Sequence, residues 1–220
     1  MTSLLRILGV VSALVASGSS LSCTRCISPS DSCSGPNVTC SSGSVCGAVY
    51  TESWSKGTID SKSYMMSCMR LDKCNIGGSF SMLDNARVKL GRSCCGTDLC
   101  VPPLPSLPGN SPRSNGFKCQ SCTSADSTWC DSSDTMECME EENMCFLQTK
   151  IVSGSAIEST AIRGCATKSI CDFGSQSGSS QGVKTVVDFT CTNGSSGLQK
   201  SVYLPAVICI FFFKVFFWNV

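Results

Sequence analysis

Residues 22–46 read SCTRCISPSDSCSGPNVTCSSGSVC, and residues 118–145 read KCQSCTSADSTWCDSSDTMECMEEENMC. Each stretch opens on a CxxC pair and continues through three further cysteines. Extended along the chain, the first run is Cys23, Cys26, Cys33, Cys40, Cys46, Cys68, Cys74, Cys94, Cys95 and Cys100, and the second is Cys119, Cys122, Cys130, Cys138, Cys145, Cys165, Cys171 and Cys191. Steps of 3, 7, 7, 6, 22, 6 and 20 residues in the first run are answered by 3, 8, 8, 7, 20, 6 and 20 in the second. Two copies of one small cysteine-framed module therefore lie in tandem.

Fixed gaps between so many thiols imply that particular sulfurs must meet in space. A zinc reading of the CxxC pairs needs further ligands at matching spacing, and no histidine occurs in the 220 residues to complete the common mixed site. Thioredoxin-type redox chemistry needs its CxxC beside a strand-helix unit, and no such unit is legible here. Disulfides are the expected use, which places the chain in an oxidising compartment. The first twenty residues agree: Arg6 precedes an apolar stretch over residues 7–15, and Gly18 and Ser20 stand at the small-residue positions of a cleavable secretory signal.

At the other end, residues 202–220 read VYLPAVICIFFFKVFFWNV, preceded by the small residues Asn193, Gly194, Ser195, Ser196 and Gly197 and a short polar spacer. Small site, spacer and apolar tail describe a glycosylphosphatidylinositol (GPI) signal, with Asn193 the expected attachment residue and Ser195 or Ser196 the alternatives. A retained single-pass helix would carry basic residues beyond its cytoplasmic end, and the only lysine here lies within the segment. Removal of the tail would also remove Cys209, the one cysteine outside the two runs.

The expected organisation is a signal peptide over residues 1–20, a first module over 21–100, a linker over 101–116, a second module over 117–193 and a removed propeptide over 194–220. The linker holds five of the eight prolines and is expected to be a stiff, extended connector without packed structure. Each module is too small for a large core, so crosslinks at about 2 to 4 kcal/mol each should dominate stability. Residues 45–51, 64–69, 146–152 and 183–190 carry β-branched, aromatic or alternating apolar residues separated by glycine- and serine-rich turns, the pattern of hairpins. For residues 84–90 a helical turn and a loop are both open.

The residues now carry a family resemblance. Leu21-Ser-Cys-Thr-Arg-Cys26 and Phe117-Lys-Cys-Gln-Ser-Cys122 resemble the L-x-C-x-x-C opening of the lymphocyte antigen 6/urokinase receptor (LU) three-finger superfamily, and Cys94-Cys-Gly-Thr-Asp-Leu-Cys100 resembles its closing CC-x4-C. Gly164-Cys-Ala-Thr-Lys-Ser-Ile-Cys171 is similar to the corresponding segment of two-domain members of the gamma-type phospholipase A2 inhibitor group. The resemblance implies an all-β, small, disulfide-rich fold of two tandem three-finger domains. It further implies the pairs Cys23–Cys46, Cys26–Cys33, Cys40–Cys68, Cys74–Cys94 and Cys95–Cys100, then Cys119–Cys145, Cys122–Cys130, Cys138–Cys165 and Cys171–Cys191. Spacing alone leaves 105 connectivities open for eight cysteines. Two departures stand out: Val101 takes the place of the asparagine that usually follows the last cysteine, and the second module lacks the CC-x4-C ending.

Catalysis finds little support, because nucleophile-histidine pairs are impossible and no phosphate loop, metal cluster or G-x-S-x-G segment occurs. Glu137, Glu140, Glu141 and Glu142 form an acidic group, expected to be a solvated loop surface rather than a carboxylate pair in a cleft. No cofactor is expected, and a net charge of +1 without a basic stripe argues against nucleic acid. Rigid crosslinked hairpins suit recognition of an extracellular or membrane protein. Trp54, beside Lys56 at the turn of the first module's second hairpin, is the leading contact candidate, although packing on its own hairpin is a competing use for it. Trp129 is expected to be structural. Asn37-Val-Thr39 is a sequon in a short inter-cysteine loop and should carry a glycan. The expected function is a GPI-anchored, protein-binding surface glycoprotein, with a secreted phospholipase A2 inhibitor-like protein as the alternative.

Overall fold

The structure, a computed structural model, describes residues 20–109, 113–180 and 182–193. The signal, the tail and the fallback attachment residues Ser195 and Ser196 lie outside the described residues. Module one comprises β1 (Ser22–Thr24), β2 (Cys26–Ser28), β3 (Asn37–Thr39), β4 (Ser44–Ser55), β5 (Thr58–Arg70), β6 (Gly77–Met82) and β7 (Ala86–Cys95). Module two comprises β8 (Ser114–Gln120), β9 (Cys122–Ser124), β10 (Thr135–Met139), β11 (Met144–Ser153), β12 (Ile157–Ala166), the short helix α1 (Lys168–Cys171), β13 (Ser175–Ser180) and β14 (Val183–Thr192). The fold is nearly all-β, as the hairpin pattern and the family resemblance both imply.

Disulfides join Cys23 to Cys46, Cys26 to Cys33, Cys40 to Cys68, Cys74 to Cys94 and Cys95 to Cys100 in module one. In module two they join Cys119 to Cys145, Cys122 to Cys130, Cys138 to Cys165 and Cys171 to Cys191. The sulfurs make up much of the interior: Cys23, Cys40 and Cys46 cluster in one knot, and Cys119, Cys138 and Cys165 in the other. From the first knot projects the long hairpin β4–β5, closed by Lys56 and Gly57 at φ 51° and 83°. Two successive positive φ values give a turn whose twist matches that of the strands it joins, and Gly57 takes that conformation at no steric cost.

The modules share one sheet. Its order is β13-β14-β11-β12-β6-β7-β4-β5-β2, with β9 also on β12, and β6 pairs with β12 through Ser81 opposite Cys165 and Phe80 opposite Ala166. That pairing explains Gly164: a Cβ there would collide with the Ser81 carbonyl oxygen, so only glycine lets the strands approach. A shared core lies beside the junction. Phe146, Ala166, Ile170 and Phe173 of module two pack with Ile76, Phe80 and Leu90 of module one, and the Phe80 ring meets Phe146 edge-on at 5.4 Å.

Three expectations are corrected. The linker is not a free connector: Pro102 and Pro105 are buried, the Ser93 hydroxyl donates to the Pro103 carbonyl, and the Lys89 ammonium donates to the Pro108 and Gly109 carbonyls. Proline repeats hold a chain extended with its carbonyls unsatisfied, and donors on β7 supply their partners. Residues 84–90 are not a helical turn throughout; Leu83–Asn85 forms a short 3-10 turn with Asp84 at φ 61°, and β7 begins at Ala86. Asn37 lies in strand β3 rather than a loop, paired with Thr24, and is nonetheless exposed.

Candidate binding groove between the modules

Hairpin β4–β5 carries Trp54 to the edge of the second module. A β-bulge between Ser53 and Trp54 shifts the register so that Trp54 faces Ile59 on one side and Arg87 of β7 on the other. The indole Nε1 donates to Glu52 Oε2 at 3.2 Å, and the Lys89 ammonium stands 5.6 Å from the ring centroid. Burial holds the Lys89 ammonium below its ordinary pKa, with the Arg87 charge acting in the same direction. Trp54 is thereby fixed in position while remaining partly exposed.

Across from it stand β10 and the segment leading into it. A groove of about 980 Å³ runs between the two, with Trp54, Lys56, Met82, Leu83 and Ala86 on the first module's side and Thr135, Met136 and Met139 on the second's. Its charged residues are Asp84, Asp134 and Glu137 with Lys56, Arg87 and Lys89. Ser81 and Ser121, 4% and 1% exposed, also line it, and their hydroxyls have no hydrogen-bond partner among the described residues. Methionine and tryptophan give such a wall a large, adaptable apolar area.

One end is locked by a buried ion network. Arg87 donates through Nε to Glu142 Oε1 at 3.0 Å and through Nη2 to Glu140 Oε2 at 2.9 Å, and the Ser79 hydroxyl donates to Glu142 Oε1 at 2.6 Å. Glu142 is fully buried. The acidic group is therefore not a uniformly solvated surface: Glu137 and Glu141 are exposed, whereas Glu140 and Glu142 hold the modules together. The turn after β10 divides them, since the Glu142 amide donates back to Met139 O and Glu140 takes φ 50°.

Of the residues that the sequence singles out, Trp54 and Lys56 fall together on the groove. Trp129 stacks under the Arg163 guanidinium at 4.3 Å and packs on the Cys122–Cys130 region, away from that groove. Asn193 is exposed and follows β14 directly. Two sulfur trios, Cys23/Cys40/Cys68 and Cys119/Cys138/Cys165, lie close enough to suggest metal ligation, but every member is a half-cystine and none offers a thiolate. Among the described residues no helix is long and apolar enough to cross a membrane.

Comparisons with known proteins bear on both modules. The u-PAR/Ly-6 domain family model matches residues 19–103 and again 115–199. The chain is 32% identical over 106 residues to the phospholipase A2 inhibitor 25 kDa subunit of Naja kaouthia, covering 47% of this chain and 57% of that protein. It is 25% identical over 162 residues to a phospholipase A2 inhibitor gamma subunit of Gloydius brevicaudus siniticus, covering 72% of this chain and 80% of the relative. It is also 25% identical over 182 residues to the phospholipase A2 inhibitor NAI of Notechis ater, covering 81% and 90%. The crystal structure of mouse TEX101 aligns at 18% identity with a TM-score of 0.32, covering 78% of this chain and 97% of that one.

Proposed function

The chain belongs to the u-PAR/Ly-6 domain family, and on that footing we propose that it is a non-enzymatic protein-binding glycoprotein of the cell surface, held on the outer leaflet by a GPI anchor. The groove between the modules carries this reading. Its walls come from both domains, it presents Trp54 and three methionines beside charged groups, and the β6–β12 pairing joins the domains that carry those walls. A ligand protein that fills it meets a surface already ordered, so little conformational entropy is lost on binding.

In this reading residues 1–20 are cleaved on export, residues 21–100 and 117–193 are the two domains joined by 101–116, and residues 194–220 are exchanged for lipid at Asn193, with Ser195 and Ser196 as the neighbouring choices. Asn37 carries the glycan. Treatment of expressing cells with phosphatidylinositol-specific phospholipase C should release the protein, and full recovery in the medium without treatment would remove the anchor from the reading. Asn37→Gln should migrate faster on a gel.

A second reading is favoured by the names of the relatives: a secreted protein that binds and inhibits a phospholipase A2. Inhibition of a purified phospholipase A2 by the protein, lost in Trp54→Ala, would select it. Capture of surface partners with no effect on that enzyme would select the first.

A further inference from the structure

The groove's charges are not evenly committed, and that imbalance bears on what it accepts. Arg87 is neutralised by both Glu140 and Glu142, Lys89 is turned onto the carbonyls of Pro108 and Gly109, and Glu137 faces Lys118 at 3.6 Å. Asp84, at the third hairpin of module one, and Asp134, ahead of β10 in module two, are exposed and make no ion pair or side-chain hydrogen bond among the described residues. Of the three cations that line the groove, only Lys56 is exposed; Arg87 and Lys89 are drawn back into the contacts just described. Between them lies the apolar wall of Trp54, Met82, Leu83, Met136 and Met139.

We infer that the groove selects a basic, apolar segment of its partner protein, one whose arginine or lysine side chains reach Asp84 and Asp134 while an apolar residue between them seats against Trp54 and the methionines. This rests on the protein-binding reading above and specifies the ligand's chemistry. Charges of complementary sign on two opposed walls fix register and exclude acidic competitors, while the apolar area supplies most of the affinity. An acidic segment would bring its carboxylates against both walls at once, where like charges repel. The unpartnered Ser81 and Ser121 hydroxyls at the groove lining are polar groups that a ligand can satisfy on entering.

The test uses the protein as cultured cells export it and two fluorescein-labelled peptides of equal apolar content, Leu-Arg-Phe-Arg-Leu and Leu-Glu-Phe-Glu-Leu, each capped at both ends. Fluorescence anisotropy should show the arginine peptide binding about tenfold more tightly, with the advantage shrinking in 0.5 M salt as screening shortens to about 4 Å. Asp84→Asn combined with Asp134→Asn should abolish the preference. Asparagine suits position 84 because it tolerates the left-handed backbone found there. Trp54→Ala should weaken both peptides. Equal binding of the two, tighter binding of the glutamate peptide, binding of neither, or a preference that survives the double change would each overturn the assignment. Partner capture that depends on Trp54 but shows no difference between the peptides would leave the protein-binding reading standing and remove only the charge selection.

Discussion

Replacing Arg87 by alanine should unhinge the junction more than any single loss of apolar area there. Glu142 is fully buried, and its Oε1 is held by the Arg87 guanidinium at 3.0 Å and the Ser79 hydroxyl at 2.6 Å, while Oε2 has no partner among the described residues. Arg87→Ala leaves that carboxylate enclosed with one neutral donor and strips Glu140 of its counter-ion as well. Removing one member of a buried pair costs about 3 to 5 kcal/mol, because the remaining charge stays desolvated. Glu142→Gln keeps an oxygen for Ser79 and Arg87 and should cost less, about 1 to 2 kcal/mol. Replacing both Arg87 and Glu142 by leucine should recover part of the loss, since the enclosed Glu142 charge is then gone, while Glu140 still lacks its counter-ion. Urea unfolding at neutral pH with the disulfides intact, followed by near-ultraviolet circular dichroism, measures all three. A loss within about 0.5 kcal/mol for Arg87→Ala, the range of an ordinary surface change, would refute the claim that this network locks the modules.

Gly164→Ala should separate the modules while leaving both knots intact, because the new Cβ would run into the Ser81 backbone carbonyl, which has no freedom to retreat. Small-angle scattering should register the larger radius, and an unchanged radius would show that the β6–β12 pairing is dispensable. Burial raises the pKa of both Tyr50 and Tyr64 above the usual 10.0. A raised acid favours the neutral form in the folded state, so its stabilising contribution is complete below pH 10 and is lost as pH climbs through the folded values. Tyrosinate absorbance should therefore appear later in the native protein than in urea, and coincident titrations would contradict the burial.

Legibility in the sequence varied with the range of the interaction. Cysteine spacing and alternating apolar residues are local records, and they located both knots and the long hairpins such as β4 and β11. Prolines 102–108 disclosed an extended conformation, but not its destination, because the donors that hold it, Ser93 and Lys89, lie on a strand whose side-chain facing is set by tertiary pairing. Glu140, Glu141 and Glu142 read alike as a charged run. Only the turn after β10 separates their directions, and the partner of Glu142 lies 55 residues away. The groove was half legible for the same reason: Trp54 and Lys56 stood out by type and turn position, whereas Met136 and Asp134 acquire meaning only when β10 is brought opposite them.

That docking also decides whether the two domains are beads on a string. None of the nine disulfides among the described residues crosses the junction, so the modules are joined by the linker and by noncovalent contacts alone. Those contacts are of the kind found inside a domain: paired strands, a common aromatic core in which Phe80 meets Phe146 and Phe189 at 5.4 and 6.0 Å, and an enclosed ion network. Exposing them would leave Phe80 bare to water and Ser79 and Glu142 without each other, a cost that opposes separation even after the covalent tether is cut. A protease site placed between Gly109 and Arg113 should accordingly yield two fragments that co-elute on gel filtration in native buffer and come apart in guanidinium without reductant. Fragments that separate in native buffer would mean that the groove's walls are free to move, and a preformed binding surface between the modules would no longer follow.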